Sequence, residues 1–109
     1  MALANLKALS DGGATIAMGT DSGPPARFHG YFEHLELELM AQAGLTPMQI
    51  LVASTSDAAR CIGLEEVGTL EAGKFADFVV TSANPLEDIT NTRMIESVWI
   101  SGNEVPRQR

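Results

Sequence analysis

Residues 14–23 read ATIAMGTDSG, and this stretch decides how the chain folds. Residues 14–18 are apolar apart from one threonine, which predicts a short β-strand buried on both faces, as in a parallel sheet or a barrel. The glycines and the prolines at positions 24 and 25 cannot continue a strand, so a loop is predicted to follow it. Asp21 is therefore predicted to lie just beyond the carboxyl end of a buried strand, where barrel enzymes place their active sites.

Helical patterns lie on both sides of this stretch. Leucines at positions 3, 6 and 9 share one face, and the helix that they predict ends at Gly12 and Gly13. An apolar stripe within residues 32–40 predicts a second helix, which ends at Gly44. Because the sequence begins inside a helical pattern with no capping residue, we expect that further chain precedes it.

Residues 46–49, Thr-Pro-Met-Gln, predict the start of a third helix. Thr46 can accept a hydrogen bond from the amide three residues on, proline suits the first helical position, and Gln49 can reach back to complete a capping box. A further short helix is predicted to begin at Thr55 or Ser56 and to end at Gly63.

After residue 63 the helical patterns give way to predicted β segments. Residues 67–70, 75–81 and 94–101 and Val105 are predicted β segments, and Gly102-Asn103 suits a tight hairpin turn. The change divides the chain into a predicted first part, residues 1–62, and a predicted second part, residues 63–109.

Composition excludes several classes of protein. The chain has 14 acidic and 7 basic residues, a net charge of −7, and its bases are scattered, so a nucleic-acid partner is not expected. Cys61 is the only cysteine, which rules out an internal disulfide and fits a reducing compartment. The N-terminus lacks a signal-peptide pattern, and no apolar run approaches the ~20 residues that span a bilayer. We therefore expect a cytoplasmic protein without a membrane partner.

Five blocks, taken in order, resemble the C-terminal region of the amidohydrolase superfamily, nearest to its imidazolonepropionase-like and dipeptidase-like members. The resemblance extends in order over nearly the whole chain, and its blocks are GTDSG at residues 19–23, AARCIGL at 58–64, GTLEAGKFADFVV at 68–80, NPLEDI at 84–89 and VWISG at 98–102. The resemblance implies an α/β fold in which residues 1–62 supply the last strand and flanking helices of a (β/α)₈ barrel. Residues 63–109 would supply strands of a small β-sandwich, and the fold would be incomplete as a single chain.

The resemblance also implies a role for Asp21. In this family the aspartate after the last strand binds a divalent metal, with zinc as the expected ion, and handles protons during hydrolysis of C–N bonds. Asp21 is thus the candidate metal ligand and the candidate catalytic residue. The other interpretation of Asp21 is a residue that turns the loop, as aspartate does before Ser-Gly.

The remaining histidines do not complete such a site. The family uses a His-X-His pair, further histidines and often a lysine, whereas His29 and His34 are the only histidines here. A zinc site normally needs three protein ligands, so we expect this chain to bind no metal tightly and to be inactive alone. His29, in the loop after Asp21, is a candidate substrate contact or an ordinary solvated residue. His34 and Glu38 at helical spacing are more typical of a polar helix face than of a metal pair.

Three further residues favour structural roles. Lys74 and Asp77 are predicted to fix a turn and a sheet edge, because no phosphate-binding loop pattern surrounds Lys74. Cys61 lies among small apolar residues and is predicted to be a packed side chain.

Two functions follow from these observations. The chain is either the C-terminal part of a metal-dependent hydrolase of amide or cyclic amide bonds, or a non-catalytic α+β protein that associates with itself. A small-molecule substrate is expected only if the barrel is completed. Because a (β/α)₈ barrel takes ~250 residues and unpaired strand edges promote pairing, we expect a homo-oligomer.

Overall fold

The computed structural model describes residues 1–26 and 28–107 and has an α/β architecture, with helices first and a small antiparallel sheet last. Its elements are α1 (Ala2–Asp11), α2 (Phe32–Gln42), α3 (Pro47–Ser54), α4 (Ser56–Cys61), β1 (Phe78–Thr81), the 3₁₀ helix η1 (Ile89–Arg93), β2 (Ile95–Ile100) and β3 (Asn103–Glu104). The four predicted helices are confirmed, with α4 starting at Ser56. Within the described residues no helix is long and apolar enough to cross a membrane.

The core lies where α2 and α3 pack together. Ile50 of α3 is completely buried, and burying such a side chain stabilises a fold by roughly 1.5–3 kcal/mol. It is surrounded by buried apolar side chains of both helices and of the turn between them, and Ile89 of η1 joins the same cluster. The buried members are Leu37, Met40, Leu45, Ile50, Ala53 and Ile89. The second part of the chain thus contributes to the core of the first.

The start of α3 is the predicted capping box. The Gln49 amide donates to Thr46 Oγ1 at 3.3 Å, and the Thr46 amide donates to Gln49 Oε1 at 2.9 Å. Pro47 occupies the first helical turn, where its missing N–H has no intrahelical partner to lose. Helix α2 stops shortly before this box, and Gly44 between them adopts a φ of 101°, a conformation that favours glycine.

Residues 14–18 do not form the predicted strand. The segment is extended, but in the described part of the chain no strand pairs with it, and a strand is stable only when its backbone groups are paired. A backbone hydrogen bond joins it to α3, in which the Met18 amide donates to the Ala53 carbonyl at 2.9 Å. Burial on both faces is also wrong: Ile16 and Met18 pack against the core, whereas Ala17 between them is exposed.

The predicted β segment at residues 67–70 is also wrong. These residues form a bend held against α4, and the loop closes where the Phe75 amide donates to the Glu66 carbonyl at 2.9 Å. Gly68 has a φ of 88°, and a Cβ atom there would lie 2.8 Å from that of Ala59. The close contact with α4 explains both the glycine and the lack of a strand.

The three strands form one antiparallel sheet in the order β1-β2-β3. Phe78 pairs with Trp99, and their rings stack with centroids 5.6 Å apart. The hairpin between β2 and β3 is confirmed, but its turn is centred on Ser101 and Gly102, one residue earlier than predicted, with φ values of 50° and 75°. Asp77 accepts the Ser101 amide at 2.7 Å, which confirms that it fixes this edge of the sheet.

Two details escape the sequence patterns. The 3₁₀ helix η1 begins where Asp88 accepts the Thr90 amide at 2.9 Å, a cap without an apolar periodicity behind it. Cys61 is exposed, so its predicted packing is wrong. It ends the short helix α4, in which Ala59 is the buried residue.

The capping box provides a direct stability test. Replacing Thr46→Ala removes the acceptor for the Gln49 amide, and we expect the free energy of unfolding to fall by about 1 kcal/mol. Thr46→Ser keeps the hydroxyl and should unfold within experimental error of the unmodified chain. Urea titration followed by circular dichroism compares the three proteins, and equal midpoints would contradict a stabilising cap.

Candidate active-site loop

Asp21 lies at the carboxyl end of the extended segment, as predicted, and its backbone adopts a φ of 53°. Left-handed backbone is uncommon outside glycine, although aspartate tolerates it better than most residues. Such a conformation costs on the order of 1–3 kcal/mol and persists only where neighbouring structure holds it. Asp21 is exposed.

The loop around Asp21 is held by a cluster of polar side chains. The hydroxyls of Thr20 and Ser22, on either side of Asp21, are joined by a hydrogen bond of 2.7 Å. Thr20 Oγ1 also donates to Glu33 Oε1 at 3.3 Å, and the Gly30 amide donates to Glu33 Oε2 at 2.6 Å. Hydrogen bonds from its own backbone amide and then from the Ser22 hydroxyl lower the pKa of Glu33 below its usual value. Glu33 is therefore an anionic group on α2 that accepts hydrogen bonds from the loop.

His29 belongs to the same loop. Its ring folds back towards Gly23, where an added Cβ atom would lie 3.9 Å from His29 Nε2. His29 is exposed, and it lies close to Gly23, which is two positions after Asp21. Its assignment as a substrate contact stays a prediction.

The described residues alone do not fit a metal ion. Across residues 1–26 and 28–107, no group of three histidine, cysteine, aspartate or glutamate side chains is placed to hold one. Asp21 offers a single carboxylate, whereas a zinc site uses at least three protein ligands. The assignment of Asp21 as ligand and catalytic residue stays a prediction that requires ligands from outside these residues.

His34 and Glu38 form contacts that the sequence did not reveal. His34 Nδ1 lies 2.9 Å from Thr92 Oγ1, and Arg93 Nε donates to Glu38 Oε1 at 2.5 Å. The Arg93 guanidinium also lies 5.5 Å from the centre of the Tyr31 ring. The hydrogen bonds of His34 and Glu38 connect α2 to η1, more than fifty positions later. No local spacing in the sequence could have predicted them. The polar face of α2 that carries His34 and Glu38 therefore contacts the second part of the chain.

A cleft of about 430 Å³ opens between α4 and the following loop, away from this cluster. Arg60 and Lys74 line it, but each already pairs with a carboxylate, Asp57 at 3.0 Å and Glu71 at 2.8 Å respectively. Neither Asp21 nor His29 contributes to its wall. The cleft therefore does not enclose the predicted reactive group.

Comparison with known proteins relates the whole described fold to one family. Residues 2–105 match the model of the amidohydrolase family. Imidazolonepropionase of Deinococcus deserti is 35% identical over 101 residues, which are 89% of this chain and 25% of that protein. Ochratoxinase of Aspergillus niger is 34% identical over 96 residues, which are 83% of this chain and 19% of that protein.

The fold is similar to that of solved enzymes. A Xaa-Pro dipeptidase with methionine bound in its active site superposes with a TM-score of 0.85 and 28% identity, over 94% of this chain and 25% of that one. The chain thus spans a quarter or less of the length of these relatives. The match therefore covers only a portion of each relative.

His34 makes the link between α2 and η1 sensitive to pH. Burial, and then the positive charge of Arg93, hold the pKa of His34 below its usual value of 6.5. The unfolded chain therefore takes up a proton that the folded chain resists. As the pH falls below about 6.5, stability should fall until the folded pKa is passed.

The measurement is the urea midpoint between pH 7.5 and 5, compared for the unmodified chain, His34→Gln and His29→Gln. We expect His34→Gln to flatten this part of the pH profile and His29→Gln to preserve it. A profile that His34→Gln leaves unchanged would show that His34 does not couple protonation to folding.

Proposed function

Because this chain belongs to the amidohydrolase family, we propose that it supplies one part of the active site of a metal-dependent hydrolase of C–N bonds, with Asp21 as its reactive group. The observation that carries the proposal is the placement of Asp21. It is exposed, follows an extended segment, and adopts a left-handed backbone held by neighbouring hydrogen bonds. In this position Asp21 would meet groups supplied by further chain.

The proposed setting is a barrel that this chain completes. Residues 1–62 would form the last strand and flanking helices of a (β/α)₈ barrel, and residues 63–109 would form strands of a small β-sandwich; residues 108 and 109 lie outside the described part. The extended segment at 14–18 supports this setting, because alternate side chains already rest on α2 and α3. Its other side is open for neighbouring barrel strands.

Asp21 would act as a proton carrier in this reaction. Its carboxylate would accept a proton from a water molecule as the water oxygen bonds to the carbonyl carbon. The same proton would then pass to the leaving nitrogen as the C–N bond breaks, which restores the carboxylate. Asp21 would also provide one ligand to a divalent metal, with zinc as the expected ion, and the remaining ligands would come from outside this chain.

The proposed substrate class is a small molecule with an amide or cyclic amide bond. The relatives support this class, because they include an imidazolonepropionase and a Xaa-Pro dipeptidase. His29 would contact the substrate, since the loop that carries it begins next to Asp21. We place the reaction in the cytoplasm.

The proposal predicts that Asp21 is essential in a complete barrel. Substituting this chain for the aligned quarter of the Deinococcus deserti imidazolonepropionase should give a hybrid that opens the imidazolone ring. Asp21→Asn should then lower kcat by about 10²- to 10⁴-fold, because an amide cannot accept the proton. Initial-rate kinetics with metal analysis of the hybrid measure the effect.

Two controls accompany this measurement. Asp11→Asn changes an exposed carboxylate that pairs with Lys7 on α1, and it should leave turnover unchanged. The unfused chain should show no zinc-dependent turnover of imidazolone or dipeptide substrates. An Asp21→Asn hybrid as active as its parent would refute the proposed role of Asp21.

Exposed apolar side chains favour a second candidate function, a non-catalytic protein that associates with itself. Ile62 and Leu70 are each 71% exposed, and Val79 and Ile100 are more than half exposed on the sheet. In the described sheet β1 is also an edge strand, and such edges pair readily with another chain. The net charge of −7 opposes association weakly, because salt screens it within ~8 Å.

This second function predicts a homodimer or larger assembly of the chain by itself. Sedimentation equilibrium at micromolar concentration should give a mass above that of the 11.6 kDa monomer. Val79→Lys places a charge on the edge strand and should shift the equilibrium towards monomer, whereas Glu96→Gln on β2 changes the net charge by the same one unit and tests the effect of charge alone. A folded monomer for the unmodified chain would contradict self-association.

A further inference from the structure

We propose that Glu33 is a positioning residue, which holds the Asp21 loop in the conformation that presents the Asp21 carboxylate. The inference rests on the proposed function of Asp21 and names a second residue needed for it. Glu33 is not within the loop; it lies in the first turn of α2. Its role is therefore to connect the loop to the rest of the fold.

The two oxygens of the Glu33 carboxylate reach opposite ends of the loop. Oε1 accepts the Thr20 hydroxyl at 3.3 Å, directly before Asp21, and Oε2 accepts the Gly30 amide at 2.6 Å, ten residues later. One side chain thus closes the loop at both of its ends. Each contact uses a different oxygen of the carboxylate.

The same carboxylate restrains both neighbours of Asp21. Ser22 is linked to Glu33 through Thr20, because its hydroxyl lies 2.7 Å from that of Thr20, which donates to Glu33. Asp21 therefore lies between two residues that hydrogen bonds link to the Glu33 carboxylate. Its φ of 53° lies outside the regions that most residues prefer, so loss of these ties should allow it to relax and to redirect its side chain.

Helix α2 gives Glu33 a fixed base from which to act. Leu37 and Met40, further along the same helix, are buried in the core. A change at Glu33 leaves those contacts in place. A purely structural role is the competing explanation, because an acidic residue in the first turn stabilises a helix through its dipole. The two roles differ in what happens to the backbone of Asp21.

The deciding experiment uses the chain itself and NMR spectroscopy. The NOE between the amide and α protons of one residue is strong when φ is positive, because the two protons then lie close together. We expect a strong NOE for Asp21 in the unmodified chain and a weak one in Glu33→Ala. Glu33→Gln should retain it in part, because its amide oxygen can accept from Gly30 while its NH₂ donates to Thr20. Glu36→Ala, on the same helix, should retain it fully.

Dispersed resonances for the core residues establish that each variant is folded. If Glu33→Ala lowers the melting temperature but keeps the strong Asp21 NOE, Glu33 merely stabilises the helix and the proposal is wrong. The hybrid enzyme gives the functional readout. There Glu33→Ala should lower kcat by about 10- to 100-fold with little change in KM, as expected for a misplaced reactive group.

The two proposals fail in different ways. If Asp21→Asn leaves the hybrid fully active, the role of Asp21 is wrong whatever the NMR spectra show. If Asp21→Asn abolishes turnover but Glu33→Ala changes neither kcat nor the Asp21 NOE, the function stands and the positioning role is overturned.

Discussion

The packing of α2 against α3 around Ile50 is the interaction on which the rest of the structure depends. Ile50 is completely buried, and the side chains around it come from both helices and from η1. The extended segment that leads to Asp21 has no sheet to hold it among the described residues, so it relies on this core. Ile16 and Met18 rest on the cluster, and the Met18 amide bonds to the end of α3. The position of Asp21 is thus set by helix packing.

The second part of the chain is docked through α2. Ile89 enters the core, while His34 and Glu38 bond to Thr92 and Arg93 of η1. Apolar burial supplies non-directional stabilisation, and the polar contacts fix how η1 lies on the helix. Because the sheet follows η1 directly, these contacts also connect it to the helices. One helix therefore organises both the loop that carries Asp21, through Glu33, and the link to the sheet.

The Asp21 loop combines a conformation that is costly for most residues with hydrogen bonds that maintain it. Supporting hydrogen bonds of this kind hold a functional side chain in a fixed geometry. The described residues supply no three-ligand group for a metal. The chain spans about a quarter of the length of these relatives, so the chemistry proposed for Asp21 would need groups from beyond these residues.

The sequence by itself determined the features that depend on neighbours along the chain. The capping box at Thr46, the glycines that end the helices, the hairpin near Gly102 and membership of the amidohydrolase family were all readable from short ordered patterns. Tertiary structure decided the rest. Residues 14–18 have the composition of a strand but form none within the described chain, because a strand requires a partner that composition cannot supply. The link from His34 to Thr92 and the contacts of Glu33 join residues far apart in sequence, and only the folded chain brings their polar atoms within hydrogen-bonding distance.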